Sequence, residues 1–513
     1  MRLRKLIIST ILIILITSSF IIAQASDLRE ERDWTGWVTE ENKLVDNAVK
    51  TADSAIVVDI NSGRIIYGKT AYNHRYPAST TKIMTCMLAL ENSQLTDMVT
   101  VDDAMWNYIK DLDKDSTMIN VKKGEALSMK DLVYGLMLES GNDAAVVIAC
   151  HVGGTYDNFI SMMNAKAQEI GMDKTHYANP HGLTEETHQT TARDMALLAM
   201  YTKENYPVFE EIVSTYIYSP ADTNVQSHST TGYQYSNSNK LIIEGQQFFY
   251  PYATGIKTGY TLAAENVLVS SAKYENQSLV AVVMKDTKDG KWTNSTTLFD
   301  YAIDFYETIK LSELFADKAF TATVENADMN TTGNQLNISI GQGEEVYLTE
   351  PNHTIESILA DKEVYFTEDF KYNSDVLTAP ISAGDQIGTV TYKYNYSHNT
   401  DDYLGYKTGG QDVKYFEYTA PLYAVNSINE MIVVTPEPTA SPVPTKPPGD
   451  NFFTDRSLWE IALIAIGVLF VILVILLIIF AANKGGPNKR YPNGGAGRHS
   501  HDDRGNSRNR RRY

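Results

Sequence analysis

Two hydrophobic periods alternate along the chain. Ser54–Ile60 and Arg64–Gly68 are apolar runs on either side of the turn triplet Asn61-Ser62-Gly63, and the pair reads as a β-hairpin. Helical spacing then takes over in Ile83–Glu91, Met129–Glu139, Ala144–His151, Tyr156–Ile170 and Thr191–Lys203. Ser128 and Asp131, three apart ahead of an apolar run, mark where the second of these begins. Strand character returns near Lys257 and in Val267–Lys273 and Leu279–Met284, and Thr297–Thr308 reads as an amphipathic helix. Strands at both ends of a helical middle predict an α/β (α+β) domain, a sheet between helical layers, over residues 26–313.

After Leu314 the pattern changes to short alternating runs between Gly, Asn and Asp turns: Leu336–Ile340, Glu345–Leu348, Val364–Thr367, Thr389–Tyr394 and Tyr415–Tyr418. These predict a second, smaller all-β domain over residues 314–434. Thr435 to Pro448 holds six prolines. Residues 435–456 are therefore read as an extended linker, whose Pro-rich part reaches roughly 40 Å at ~3.1 Å per residue.

The ends of the chain concern compartment. Residues 1–25 combine Arg2, Arg4 and Lys5 with the apolar stretch Leu6–Ile22 and then Ala23-Gln24-Ala25, the pattern of a secretory signal peptide, with an uncleaved anchor as the alternative. Residues 461–482 form a second uncharged apolar run, long enough to be a single transmembrane helix. The basic tail, residues 483–513, belongs on the cytoplasmic side. The expectation is a cell-membrane protein with one C-terminal span and an extracytoplasmic main body.

Charge sharpens this. The chain has a formal net charge of −19, and because leader and tail are both basic, the stretch between them is more acidic still. Nucleic acid is excluded as a partner. The two cysteines, Cys86 and Cys150, lie in apolar helical runs and read as buried free thiols. No Cys/His spacing suggests a metal site, and no cofactor is expected.

Candidate chemistry comes from three short stretches in a fixed order: Ser79-Thr80-Thr81-Lys82, Ser140-Gly141-Asn142 and Lys257-Thr258-Gly259. A helix starting near Ser79 brings Lys82 one turn from it, so the amine can serve as base to the hydroxyl if burial and neighbouring cations lower its pKa. Ser140 and Asn142 fall in a polar loop between two apolar helices, where they can project into a cleft. Lys257 and Thr258 on an edge strand can bind an acyl donor's backbone and its carboxylate, and Gly259 lets that backbone approach closely. Together they read as an acyl-transfer site.

From Ala52 to Ala424 the chain resembles the penicillin-recognising serine acyl-transferases, specifically the D-alanyl-D-alanine carboxypeptidases among low-molecular-mass penicillin-binding proteins. The resemblance rests on Tyr76 to Lys82, Met137 to Ala145, Asn179-Pro180-His181-Gly182-Leu183, Thr191 to Ala196 and Gly255 to Thr261. It implies a penicillin-binding transpeptidase/β-lactamase-like fold, peptidoglycan stem peptides as substrate and β-lactams as covalent inhibitors. It further implies Ser79 as nucleophile, Lys82 as its base, Ser140 and Lys257 relaying a proton to the leaving amine, and Asn142 holding the donor's amide. Thr258 would take the carboxylate, and the backbone N–H groups of Ser79 and Tyr260 the oxyanion.

Two positions depart from that family. Gly290-Lys291 stands where many relatives have Gly-Arg, and Asn237-Ser238-Asn239 where they have Asn-Arg-Asn. Lys291, with Lys257, is then the candidate for the substrate's terminal carboxylate, as a point charge in place of a planar fork. His181 is read as a loop residue shaping the cleft rim. The alternatives are a β-lactamase, against which stands the lack of Glu-x-x-Leu-Asn after Ser140, and a catalytically weak muropeptide- or β-lactam-binding protein.

Overall fold

The computed structural model describes residues 48–113, 115–395, 404 and 417–432. The chain divides into two units, Met1–Val433 and Val434–Tyr513, and every described residue belongs to the first. The predicted leader, linker, transmembrane helix and tail lie outside the described residues. No helix among the described residues is long and apolar enough to cross a membrane.

The central sheet has five antiparallel strands in the order Ile65–Lys69, Ser54–Asp59, Gln277–Asp286, Glu265–Tyr274, Ala253–Thr261. Its strand alternation sorts side chains into two cores. Ile56, Val58, Val267, Val269, Val280 and Val282 face a helical layer. Ala55, Val57, Leu268, Leu279, Ala281 and Val283 face the helix Gly290–Phe305 through Trp292, Leu298 and Phe299. The three inner strands are buried on both faces along most of their length, so those runs look nearly uniformly apolar. The strand Ala253–Thr261, with Lys257-Thr258-Gly259, stands at the sheet edge as expected.

The helical layer holds Lys82–Asn92, Met129–Met137, Asn142–Gly153, Tyr156–Glu169 and Ala192–Asn205. Side-chain caps set three of the starts: Ser128 accepts from Asp131 N, Thr155 from Asn158 N and Thr191 from Asp194 N.

Several boundaries differ from the sequence reading. The helix expected at Thr297–Thr308 begins at Gly290 and stops at Phe305; Tyr306–Lys310 is a strand paired with Tyr347–Pro351. A buried start with the polar Lys291, Asn294 and Ser295 turned inward hides its periodicity. The helix expected near Ser79 is preceded by a 3-10 turn, Ala78–Thr81, and the α-helix proper starts at Lys82.

The following region holds a five-stranded antiparallel sheet in the order Ala319–Thr323, Gln335–Ile340, Glu417–Ala424, Gln386–Tyr394, Phe366–Tyr372. Its core is aromatic, with Phe315 stacked 3.6 Å from Tyr392. It is β-rich and not all-β, since Asn352–Ala360 forms a helix that buries Ile355 and Ile358. Val364, expected in a strand, lies in the short helix Lys362–Tyr365.

Both cysteines are free thiols. Burial pushes the Cys86 thiol far up, and burial with the nearby Asp102 carboxylate raises Cys150 to about 11. Neither is a ready nucleophile.

Candidate active site

The nucleophile position is built from a strained turn pressed between two glycines. Ala78, immediately before Ser79, has φ +48°, in the left-handed region that non-glycine residues rarely adopt. Gly182, itself at φ +90°, comes so close that a Cβ there would lie 1.8 Å from the Ala78 carbonyl oxygen and 3.0 Å from Ser79 N. From the other side, a Cβ on Gly259 would sit 3.1 Å from Ser79 N and from Pro77 O. The motif loop and the edge strand therefore clamp the turn that carries Ser79.

Lys82, fully buried, holds three partners through Nζ: Ser79 Oγ at 3.1 Å, Asn142 Oδ1 at 2.6 Å and the His181 carbonyl at 2.7 Å. Burial first, then the charge of Lys257, keep its pKa well below the ordinary lysine value, against the opposing pull of Asp143. A neutral amine has two N–H bonds and one lone pair. Asn142 Oδ1 and the His181 carbonyl can only accept, so in the neutral state of Lys82 they take both N–H bonds and the lone pair is left for Ser79 Oγ.

Lys257 is also buried, and its Nζ donates to the Thr258 carbonyl at 3.1 Å. Burial and the Lys291 charge lower its pKa to about 7, with Glu139 opposing. Lys291 bonds Asn266 Oδ1 at 3.1 Å and lies 4.9 Å from the Trp292 ring centroid. Burial, with Lys240 and Lys288, brings it down to about 8 against Asp286 and Asp289. Lys257 thus feels the charge of Lys291 without a bond between the two amines.

Ser140 stands in the left-handed region at φ +64°, which turns the chain from Met129–Met137 into Asn142–Gly153. The structure joins Ser79, Lys82 and Asn142 by hydrogen bonds, and gives Ser140 no hydrogen bond to them among the described residues. Thr258 Oγ1 pairs with Ser238 Oγ at 2.7 Å, and Tyr260 is exposed just beyond Gly259.

Some residues matter in ways the sequence did not disclose. His181 is not on the rim: it is buried, and its contribution is the carbonyl under Lys82. Asn179 Oδ1 accepts from Gly182 N at 2.7 Å and Thr85 Oγ1 donates to Pro180 O at 2.6 Å, which fixes that loop. His188 Nδ1 accepts from Ala178 N, so its Nε2–H faces Thr81 Oγ1 at 2.8 Å, and Thr81 in turn holds the Ala78 carbonyl. Asp143 is a buried carboxylate accepting from Ile119, Val121 and Ala144 N–H groups. A carboxylate inside an apolar run is a readable signal for it; for His188 and Thr81 the sequence carries none.

A family model described as D-alanyl-D-alanine carboxypeptidase matches residues 41–288. D-alanyl-D-alanine carboxypeptidase DacB2 of Mycobacterium tuberculosis is 31% identical over 258 residues, 49% of this chain and 81% of its own length. The chain belongs to the D-alanyl-D-alanine carboxypeptidase family. DacF of Bacillus subtilis, with the same description, is 28% identical over 70% of this chain and 86% of its own. Among solved structures, penicillin binding protein 5 of Haemophilus influenzae is similar at TM-score 0.50 and 27% identity, covering 74% of this chain and 98% of that one. A peptidoglycan synthesis regulatory factor of Streptococcus pneumoniae shares the fold at TM-score 0.56 and 21% identity, over 74% of this chain and 99% of that one.

Proposed function

We propose that this family member is a serine-type D-Ala-D-Ala carboxypeptidase, removing the terminal D-alanine from peptidoglycan pentapeptide stems through an acyl-enzyme on Ser79. The observation that carries this is the pair of carbonyl oxygens on the Nζ of buried Lys82 beside Ser79 Oγ: once the amine is neutral, they take its two N–H bonds and its lone pair is left for the Ser79 hydroxyl. Lys82 takes the Ser79 proton as Oγ attacks the penultimate D-alanine carbonyl carbon. The oxyanion is held by the N–H groups of Ser79 and Tyr260. Ser140 and Lys257 pass a proton to the departing D-alanine nitrogen, and water then hydrolyses the ester. Asn142 holds the donor's amide, while Thr258, Lys257 and Lys291 attract the terminal carboxylate. A β-lactam acylates Ser79 by the same route.

The test is labelling with a fluorescent penicillin alongside D-alanine release from a D-Ala-D-Ala peptide. Ser79→Ala abolishes both with the fold intact; persistent labelling would sink the nucleophile assignment.

The leader and the apolar run at 461–482 support an enzyme held at the cell membrane by one span, its catalytic region outside and its tail inside. Protease added to intact protoplasts then releases a penicillin-binding fragment and spares a C-terminal tag. Digestion of that tag overturns the topology.

A further inference from the structure

On the carboxypeptidase reading above, we propose that Ser238 is a positioning residue for the leaving-group carboxylate, acting through the Thr258 hydroxyl. Ser238 lies between two asparagines whose side chains are buried anchors. Asn237 Nδ2 donates to the Val213 and Thr215 carbonyls at 3.0 Å each, and its Oδ1 accepts from Asn239 N at 2.9 Å. Asn239 Oδ1 accepts from Leu241 N at 3.1 Å. With its neighbours pinned inward, Ser238 faces out and meets Thr258 Oγ1 at 2.7 Å. Lys257 grips the carbonyl of the same threonine at 3.1 Å, so Thr258 is held at both its backbone and its side chain.

Each hydroxyl carries one proton. When Ser238 donates to Thr258 Oγ1, the Thr258 proton is free and points away from Ser238. A bound carboxylate, which can only accept, selects that arrangement and receives a hydrogen bond from an already oriented donor. Without Ser238, the Thr258 hydroxyl must be ordered by the ligand itself. Because the carboxylate departs with the D-alanine, this contribution acts in acylation and is gone from the acyl-enzyme. That timing separates a positioning role from a general structural one.

The experiment compares the full chain and its Ser238→Ala variant on an N-acyl-L-Lys-D-Ala-D-Ala peptide and on its C-terminal amide. A lost neutral hydrogen bond predicts about a fivefold fall in kcat/KM on the free acid. The deacylation rate and the kcat/KM on the amide stay unchanged, and Ser238→Thr retains activity. Combining Ser238→Ala with Thr258→Ala costs no more than Thr258→Ala alone. Equal losses on acid and amide, slowed deacylation, additive losses in the double variant, or no loss at all each overturn the role of Ser238 while leaving the carboxypeptidase reading in place. A wild-type chain that releases no D-alanine from the acid overturns that reading, and this inference with it.

Discussion

Lys82, Lys257 and Lys291 are all buried, and burial pulls the pKa of each amine below the ordinary lysine value. Burial first, then the charge of Lys257, lowers the pKa of Lys82, and burial, then the charge of Lys291, lowers that of Lys257. Lys257 is charged below about 7 and Lys291 below about 8, and each loses its attraction for an anion above that value. In the free enzyme, which kcat/KM reports, capture of a carboxylate-ended peptide therefore weakens as pH rises through 7 to 8. The same peptide with an amide end is expected to show a shallower decline, because it has no carboxylate for the two amines to attract; on the proposed mechanism only the relay through Lys257 is then left to be lost. Parallel pH profiles for the two peptides would remove both lysines from carboxylate recognition.

At the level of elements, catalysis depends on how a 3-10 turn, a loop and an edge strand meet. The Asn179–Leu183 loop supplies Gly182 against the turn and a carbonyl under Lys82, so its backbone path controls both nucleophile and base. Gly182→Ala puts a Cβ 1.8 Å from the Ala78 oxygen at a backbone angle that side chains rarely tolerate, and something must shift. The expected outcome is a fall of roughly a hundredfold or more in penicillin acylation, as a displacement near 1 Å at reacting groups commonly brings. Circular dichroism should stay close to wild type. Acylation at the wild-type rate would mean that the loop does not clamp Ser79. The sequence marks Gly182 only as part of a motif stretch; that it packs against Ala78 and Ser79 could not be read from it.

At the scale of the whole molecule, the β-rich region is joined to the catalytic sheet by a buried polar network. Asp59, at the end of the strand Ser54–Asp59, accepts from Ser62 N, Ser62 Oγ and Thr349 Oγ1 through Oδ1 and from Ser278 N through Oδ2. Thr349 also pairs with Thr308, and Arg64 faces Glu350 at 3.9 Å beside it. Buried donors and acceptors gain most from being satisfied together, so the two regions should unfold as one cooperative block. Thr349→Val removes a bond to the buried Asp59 and should cost about 1–3 kcal/mol of stability in guanidinium unfolding. An unchanged midpoint would show that the junction adds nothing to the cohesion of the two regions.

The hydrophobic pattern alone marks the hairpin, the helical layer and the returning strands, because side-chain periods of two and 3.6 leave their trace wherever one face differs from the other. The three motif stretches likewise name Ser79, Lys82, Asn142 and Lys257 directly, since the first pair sits one turn apart and needs no long-range information. The pattern misplaces the helix at Gly290–Phe305, whose buried polar start breaks its periodicity, and overlooks the helix Asn352–Ala360 among strands. What only the tertiary structure decided is the meeting of distant segments: His181 under Lys82, Gly182 against Ala78, Ser238 on Thr258 and Thr349 on Asp59. Those contacts join residues from about 20 to nearly 300 positions apart, and nothing local encodes them; they arise when the sheet, the helical layer and their loops pack to close density.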